Sequence, residues 1–202
     1  MKGTIAMIRN PMLAAPLLAP ALALSLSACV NIGTKVPGTL MSLTPESAPA
    51  AGAGASGNLA GATAVLEPAA EARLAVLRIP VQIDDSNVAY LKGTQWVERP
   101  TRLFQRLLAE TLRAKGGRLV VENDLGVSGP RLSGRILDLG YDARSRRVIV
   151  RFDAVKELPG GKIETKRFEQ DVPGVAPEAS EVGPALNKAA NAVAKDVVDW
   201  FG

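Results

Sequence analysis

Cys29 is the only thiol in a 202-residue chain that contains no histidine. Lys2 and Arg9 form a basic tip, residues 12–26 form an apolar run broken by Pro16 and Pro20, and Leu26-Ser27-Ala28 leads into the cysteine. The run has the length of a secretory signal, and it is too short and too Pro-interrupted to span a membrane. A thiol placed here can form a thioether to a lipid, which no other side chain in this sequence can do. Apart from that sulfur no His or Cys is present for a transition-metal site, and no Ser-His or Cys-His nucleophile pair can form. No disulfide can form within the chain either. The remaining chemistry-bearing residues are carboxylates and arginines. Asp84-Asp85 and Glu122/Asp124 could act in acid/base chemistry or hold Ca²⁺. They lack calcium-loop spacing and read as solvated turn residues. Arg144, Arg146, Arg147 and Arg151 cluster around a hairpin. They suit contact with anionic lipid headgroups, each charge contributing about 1 kcal/mol near such a surface. The same residues would also protect an exposed strand edge. Trp96 and Trp200 read as core anchors. Gly126, Gly129 and Gly134 lack the strand-turn-helix context of a phosphate loop. No catalytic, cofactor-binding or metal-binding residue is implied, and the chain is expected not to be an enzyme.

The first 29 residues resemble a bacterial lipoprotein signal, with Leu at −3, small residues at −2 and −1, and the cysteine next. That resemblance implies lipidation of Cys29 and removal of residues 1–28. Val30 follows the cysteine, and the aspartate that retains many lipoproteins at the inner membrane is absent. The expected location is therefore periplasm-facing, lipid-anchored, and at the outer rather than the inner membrane. Removing the leader takes two positive charges from a formal net charge of +4, which leaves no argument for nucleic acid. The rest of the chain has the length of one domain with a tail.

Residues 30–71 carry four charged side chains, Lys35, Glu46, Glu67 and Glu71, among Ala, Gly, Pro and Ser. Such a composition buries too little surface to offset its ordering entropy. It predicts a lipid-anchored tether over 29–71, with a short strand at 38–45. As coil, about 42 residues would reach on the order of 35 Å.

A domain is expected over 72–202. Leu74–Val81 reads as a buried strand, and Val88–Leu91 and Leu119–Glu122 as short ones. Pro100 suits the first turn of a helix that buries Leu103, Phe104, Leu107, Leu108, Thr111 and Leu112 and ends at Gly116-Gly117. Leu132–Tyr141, the alternating run Arg147–Ala154 and Ile163–Val172 predict an antiparallel meander, with a turn at Pro159-Gly160-Gly161. A second helix is expected from Pro184 to Trp200, with Leu186, Ala189, Ala190, Val193, Val197 and Trp200 in one stripe. The fold class that follows is α+β: a two-layer sandwich with a mixed or antiparallel sheet of about five or six strands, covered by two amphipathic helices.

The chain resembles the ABC-type transport auxiliary lipoprotein family. The likeness rests on the Cys29 signal, the opening Met41-Ser42-Leu43-Thr44-Pro45, and the run from Trp96 through Pro100 to Leu112. The strand Leu132–Tyr141 and the Ala-rich helix Ala185–Trp200 complete it. Met41 stands where the family has an aromatic, and the Ala/Gly insertion after Pro45 is long. The resemblance implies an accessory subunit of an ABC/MCE-type transporter that moves phospholipids or other hydrophobic molecules across the cell envelope. Its implied partners are an MCE-type periplasmic protein and an ABC permease/ATPase complex, with copies of the chain forming a homo-oligomeric ring. A pilotin-like or outer-membrane assembly lipoprotein would show the same composition.

Overall fold

The computed structural model describes residues 38–202. The signal and Cys29 lie outside the described residues. The chain begins with β1 (Thr39–Met41), β2 (Thr63–Val65), β3 (Ala69–Ala70) and β4 (Pro80–Gln82). β5 (Val88–Tyr90), β6 (Thr94–Trp96), helix α1 (Pro100–Lys115) and β7 (Val120–Val121) follow. The long strands β8 (Arg131–Asp142), β9 (Arg147–Glu157) and β10 (Ile163–Pro173) precede helix α2 (Ala179–Phe201). Two helices over a mixed sheet make the α+β sandwich that the hydrophobic periodicity predicts.

The meander β8-β9-β10 is antiparallel throughout. Its alternation is the reason. Val148, Val150, Phe152 and Ala154 are buried on one face of β9, while Arg147, Ile149, Arg151 and Asp153 point to the other. β8 keeps its inward face only by a register shift between Ile136 and Asp138. Before it Leu132 and Ile136 are buried, and after it Leu139 and Tyr141 are. The extra residue of a bulge changes the parity of a strand, and without it the second apolar pair would face solvent. Arg73 caps the irregularity, donating to the Leu137 carbonyl at 2.7 Å and to Asp138 at 2.9 Å.

The sheet has eight strands, more than the five or six expected, because β2, β3 and β4 lie in parallel register along the free edge of β8. This corrects two expectations. The tether expected over 29–71 is shorter than its composition suggests, since Ala62, Ala64 and Val65 are fully buried, while the short strand expected at 38–45 forms as β1. The Ala-rich segment orders here because β2 is paired on both sides, with β8 and with β7. The strand expected over Leu74–Val81 shrinks to β4. Leu74 and Ala75 instead bond back to the Glu71 carbonyl in a helical turn, which still buries Leu74.

Helix α1 starts with Pro100 and stops at Gly116, whose φ of 74° is the left-handed conformation glycine adopts at least strain. It packs Phe104 against Phe152 of β9, ring centroids 5.1 Å apart and edge-on. Helix α2 begins at Ala179, a turn and a half before the expected Pro184, because Glu181 and Val182 already bond to the Glu178 carbonyl. Trp96 is buried in the core, and Trp200 rests on Phe168 with centroids 5.7 Å apart.

The opening segment is clipped to α2 by two asparagines one turn apart. Asn187 Oδ1 accepts from the Thr44 amide at 2.7 Å. Asn191 accepts from the Glu46 amide at 2.8 Å and donates to the Thr44 carbonyl at 2.9 Å. Asn191→Ala removes the bonds to the Glu46 amide and the Thr44 carbonyl and is expected to destabilise the domain by about 1–3 kcal/mol, roughly 0.5–1.5 for each bond. Faster amide exchange at Glu46, with exchange in β9 unchanged, would be its local signature. Equal protection at Glu46 in both proteins would contradict the clip.

Candidate functional site

With both helices on one face, the other face of β8-β9-β10 is left to water. Its residues are the outward positions of three alternating strands, and they are mostly arginines and carboxylates. Arg151 is the hub, bonded to Asp138 at 2.6 Å and to Glu169 at 2.5 Å. Asp138 also receives Arg73 at 2.9 Å. Arg167 grips Asp153 with two bonds of 2.6 and 2.7 Å, the two-pronged geometry that suits a guanidinium and a carboxylate. Arg147 sits 3.7 Å from Asp171. A cavity of about 340 Å³ opens among Arg73, Asp138, Arg144, Arg147 and Arg151.

The ion pairs set the protonation of this face. The hydrogen bond from Arg151 is the main reason Glu169 is held below the usual carboxylate range, and Arg167 does the same for Asp153. Arg151 is in turn raised, first by its bond to Glu169. Burial opposes ionisation of Asp142, but hydrogen bonds from Ser145 and Arg144 outweigh it and its affinity for protons falls. A carboxylate depressed in the folded state stabilises the fold above its unfolded value near 4 and loses that contribution as pH falls through the folded value. Stability is therefore expected to decline on acidification from about pH 5 toward pH 3. Arg151→Leu removes the group that depresses Glu169. The expected result is lower stability at pH 7 and a shallower acid decline in a urea-unfolding series. An acid limb as steep as that of the unmutated chain would contradict the coupling.

Three of the four arginines singled out in the sequence are thus already neutralised. Arg144 pairs with Asp85 at 2.6 Å and lies 3.6 Å from Asp142, and Arg147 and Arg151 have the partners given above. Arg146 makes no ion pair among the described residues. It closes the β8–β9 turn with a φ of 50°, the only non-glycine there with positive φ among those residues. The acidic pairs are likewise engaged. Asp84 is held ionised mainly by the Asn87 side chain, in a turn. Glu122 binds Arg113 at 2.7 Å and Asp124 lies 3.4 Å from Arg131. Among the described residues no group of three metal-ligating side chains converges, and no helix is long and apolar enough to cross a membrane. Gly129 and Gly134 have structural reasons. A Cβ on Gly129 would stand 2.1 Å from the Ala62 carbonyl oxygen, and one on Gly134 the same distance from that of Asp153. Sequence reasoning missed the charge ladder because its members are up to 65 residues apart, as Arg73 and Asp138 are. The alternation of charge along β9 and β10 was the available signal.

These features define a helix-backed α+β domain with a charged open sheet face. Residues 42–198 match the family described as the ABC-type transport auxiliary lipoprotein component, and the chain belongs to that family. It is a transport-auxiliary lipoprotein associated with the cell envelope. The fold is similar to the crystal structure of protein XCC0632 from Xanthomonas campestris. The TM-score is 0.68 at 15% identity, over 80% of this chain and 93% of that one. A second crystal structure, of an uncharacterized protein, aligns with TM-score 0.65 at 12% identity over 81% of this chain and 97% of the other. No curated protein matches the sequence.

Proposed function

We propose that the protein is the lipid-anchored accessory subunit of an MCE-type ABC transport system that moves phospholipids or other hydrophobic molecules across the envelope. The observation that carries this is the family match across 42–198, directly downstream of a cysteine in lipoprotein-signal context. In this reading Cys29 is acylated and the domain faces the periplasm from the outer membrane. Copies arranged as a ring dock the MCE-type conduit, whose permease and ATPase lie at the inner membrane. The protein does no chemistry itself. The open sheet face supports a docking role, because its charges are paired with one another and it presents fixed hydrogen-bonding groups to a partner.

Crosslinking in intact cells followed by affinity purification of this chain tests the reading. An MCE-type protein and an ABC permease are the expected captures. Recovery of a secretin without either would favour the pilotin-like alternative and overturn the proposal.

A further inference from the structure

β1 and β6 form a two-stranded parallel ribbon apart from the main sheet, with Leu40 opposite Gln95 and Met41 opposite Trp96. Strand alternation sends Met41 and Trp96 into the core and Leu40 and Gln95 outward. Val97 continues on the Gln95 side, its amide bonded to the Met41 carbonyl at 2.8 Å. Leu77 flanks β6 on its other edge, where its carbonyl accepts from the Trp96 amide at 2.7 Å. Leu40 is 54% exposed, Val97 50% and Leu77 38%. Single exposed apolar residues are ordinary, but Leu40 on the ribbon, Val97 at its end and Leu77 on the segment bonded to its edge make a patch. Arg78 and Lys92 adjoin it, both exposed and neither in an ion pair among the described residues.

β1 is the first described element after Cys29, so of the described elements it lies nearest the anchor along the chain. Ten peptide steps separate Cys29 from Thr39, so whatever their conformation the first residue of β1 stands at most about 35 Å from the acylated sulfur. The long Ala/Gly insertion does not lengthen this leash, because it follows β1. We infer that the β1–β6 ribbon is the membrane-contacting face of the domain, with Leu40, Val97 and Leu77 seated in the headgroup region of the anchoring bilayer. Arg78 and Lys92 meet anionic headgroups there. This rests on the anchoring of Cys29 proposed above. It leaves the charged sheet face free for protein partners. The β9–β10 hairpin is the distal control. Met41 packs beside Gly183 near the start of α2, while Trp200 at its end lies near Lys156, about 25 Å along the helix axis.

The test uses the lipidated full chain, in which acylation of Cys29 leaves no free thiol. Leu40→Cys, Val97→Cys and Lys162→Cys are each labelled with an environment-sensitive fluorophore. Each is reconstituted on phosphatidylethanolamine/phosphatidylglycerol vesicles that carry a headgroup spin label. The expected result is at least threefold stronger quenching at positions 40 and 97 than at 162. Equal quenching at all three positions, with the protein floating with the vesicles, overturns the inference while the anchor stands. Failure to float overturns the anchoring and this inference with it. Leu40→Asp with Val97→Asp gives a second measurement. An unchanged melting temperature with quenching at position 77, through Leu77→Cys, reduced to the level of 162 is expected; undiminished quenching there overturns the inference.

Discussion

Phe152→Ala is expected to lower the stability of the domain by about 3–5 kcal/mol, the range for removing a fully buried aromatic ring. Phe152 has no exposed surface and stands where three elements meet. Its ring lies edge-on to Phe104 of α1, and its side chain fills the space left by Gly134 in β8. The substitution removes the apolar contacts and the aromatic pair together, and the surrounding sheet backbone is held too firmly to collapse into the void. Against a total of roughly 5–15 kcal/mol for a domain, the loss is a large fraction. It corresponds to a fall in melting temperature of roughly 6–20 °C. Thermal and urea unfolding would measure it, and a loss below about 1 kcal/mol would show that the ring is not a keystone. Gly134→Ala separates two parts of the same junction. The new methyl group would meet the Phe152 ring at 2.5 Å and the Asp153 carbonyl oxygen at 2.1 Å. Removing the ring relieves only the first clash. Gly134→Ala should therefore still destabilise a Phe152→Ala protein, though by less than it destabilises the unmutated one.

The same junction shows which parts of the fold were legible in the sequence. Val148, Val150, Phe152 and Ala154 alternate with polar residues, so β9 and its inward face could be read directly. The stripes of both helices and the Gly116 stop were equally local. What escaped was the pairing of distant backbone. Ala64 and Val65 have the composition of a spacer, and nothing nearby signals that they will pair with β8, almost seventy residues on. The roles of Asn187 and Asn191 were hidden for the same reason, since their partners are Thr44 and Glu46. The clip also gives a physical basis to the Met41–Pro45 opening through which the chain resembles its family. Met41 lies against Gly183, Leu43 is buried, and Thr44 is bound from α2. Of the site, Cys29 and the arginine cluster were legible as residue types. Neutralisation of the arginines by Asp85, Asp138, Glu169 and Asp171 was not, because a checkerboard of ion pairs depends on register across strands.

Under the proposed anchoring, Cys29→Ser is expected to abolish lipidation and processing while leaving the domain intact. Serine is close to cysteine in size, but its hydroxyl cannot form the thioether, so no diacylglyceryl group is added and the leader stays on the chain. Each buried methylene contributes about 0.8 kcal/mol, and one acyl chain alone gives only marginal, reversible binding. Loss of all the chains should therefore shift the processed, membrane-bound form to an unprocessed one that takes up no labelled palmitate. The effect on folding should be negligible. The substitution exchanges sulfur for oxygen at a residue ten positions before β1. Matching melting temperatures for the lipidated chain and the full-length serine variant, both in the same detergent, would show that anchor and fold are independent. The described residues are held by a core of their own, from Met41 to Phe201. Normal palmitate labelling of the serine variant would remove the basis for the anchor. The ribbon of Leu40 and Val97 sharpens the prediction. If it contacts the bilayer, a leaderless, unlipidated chain should still bind anionic vesicles weakly, and Leu40→Asp with Val97→Asp should abolish that residue of binding. The acyl chains would then supply the residence time and the ribbon the orientation, leaving the arginine–carboxylate face turned toward the transport partners.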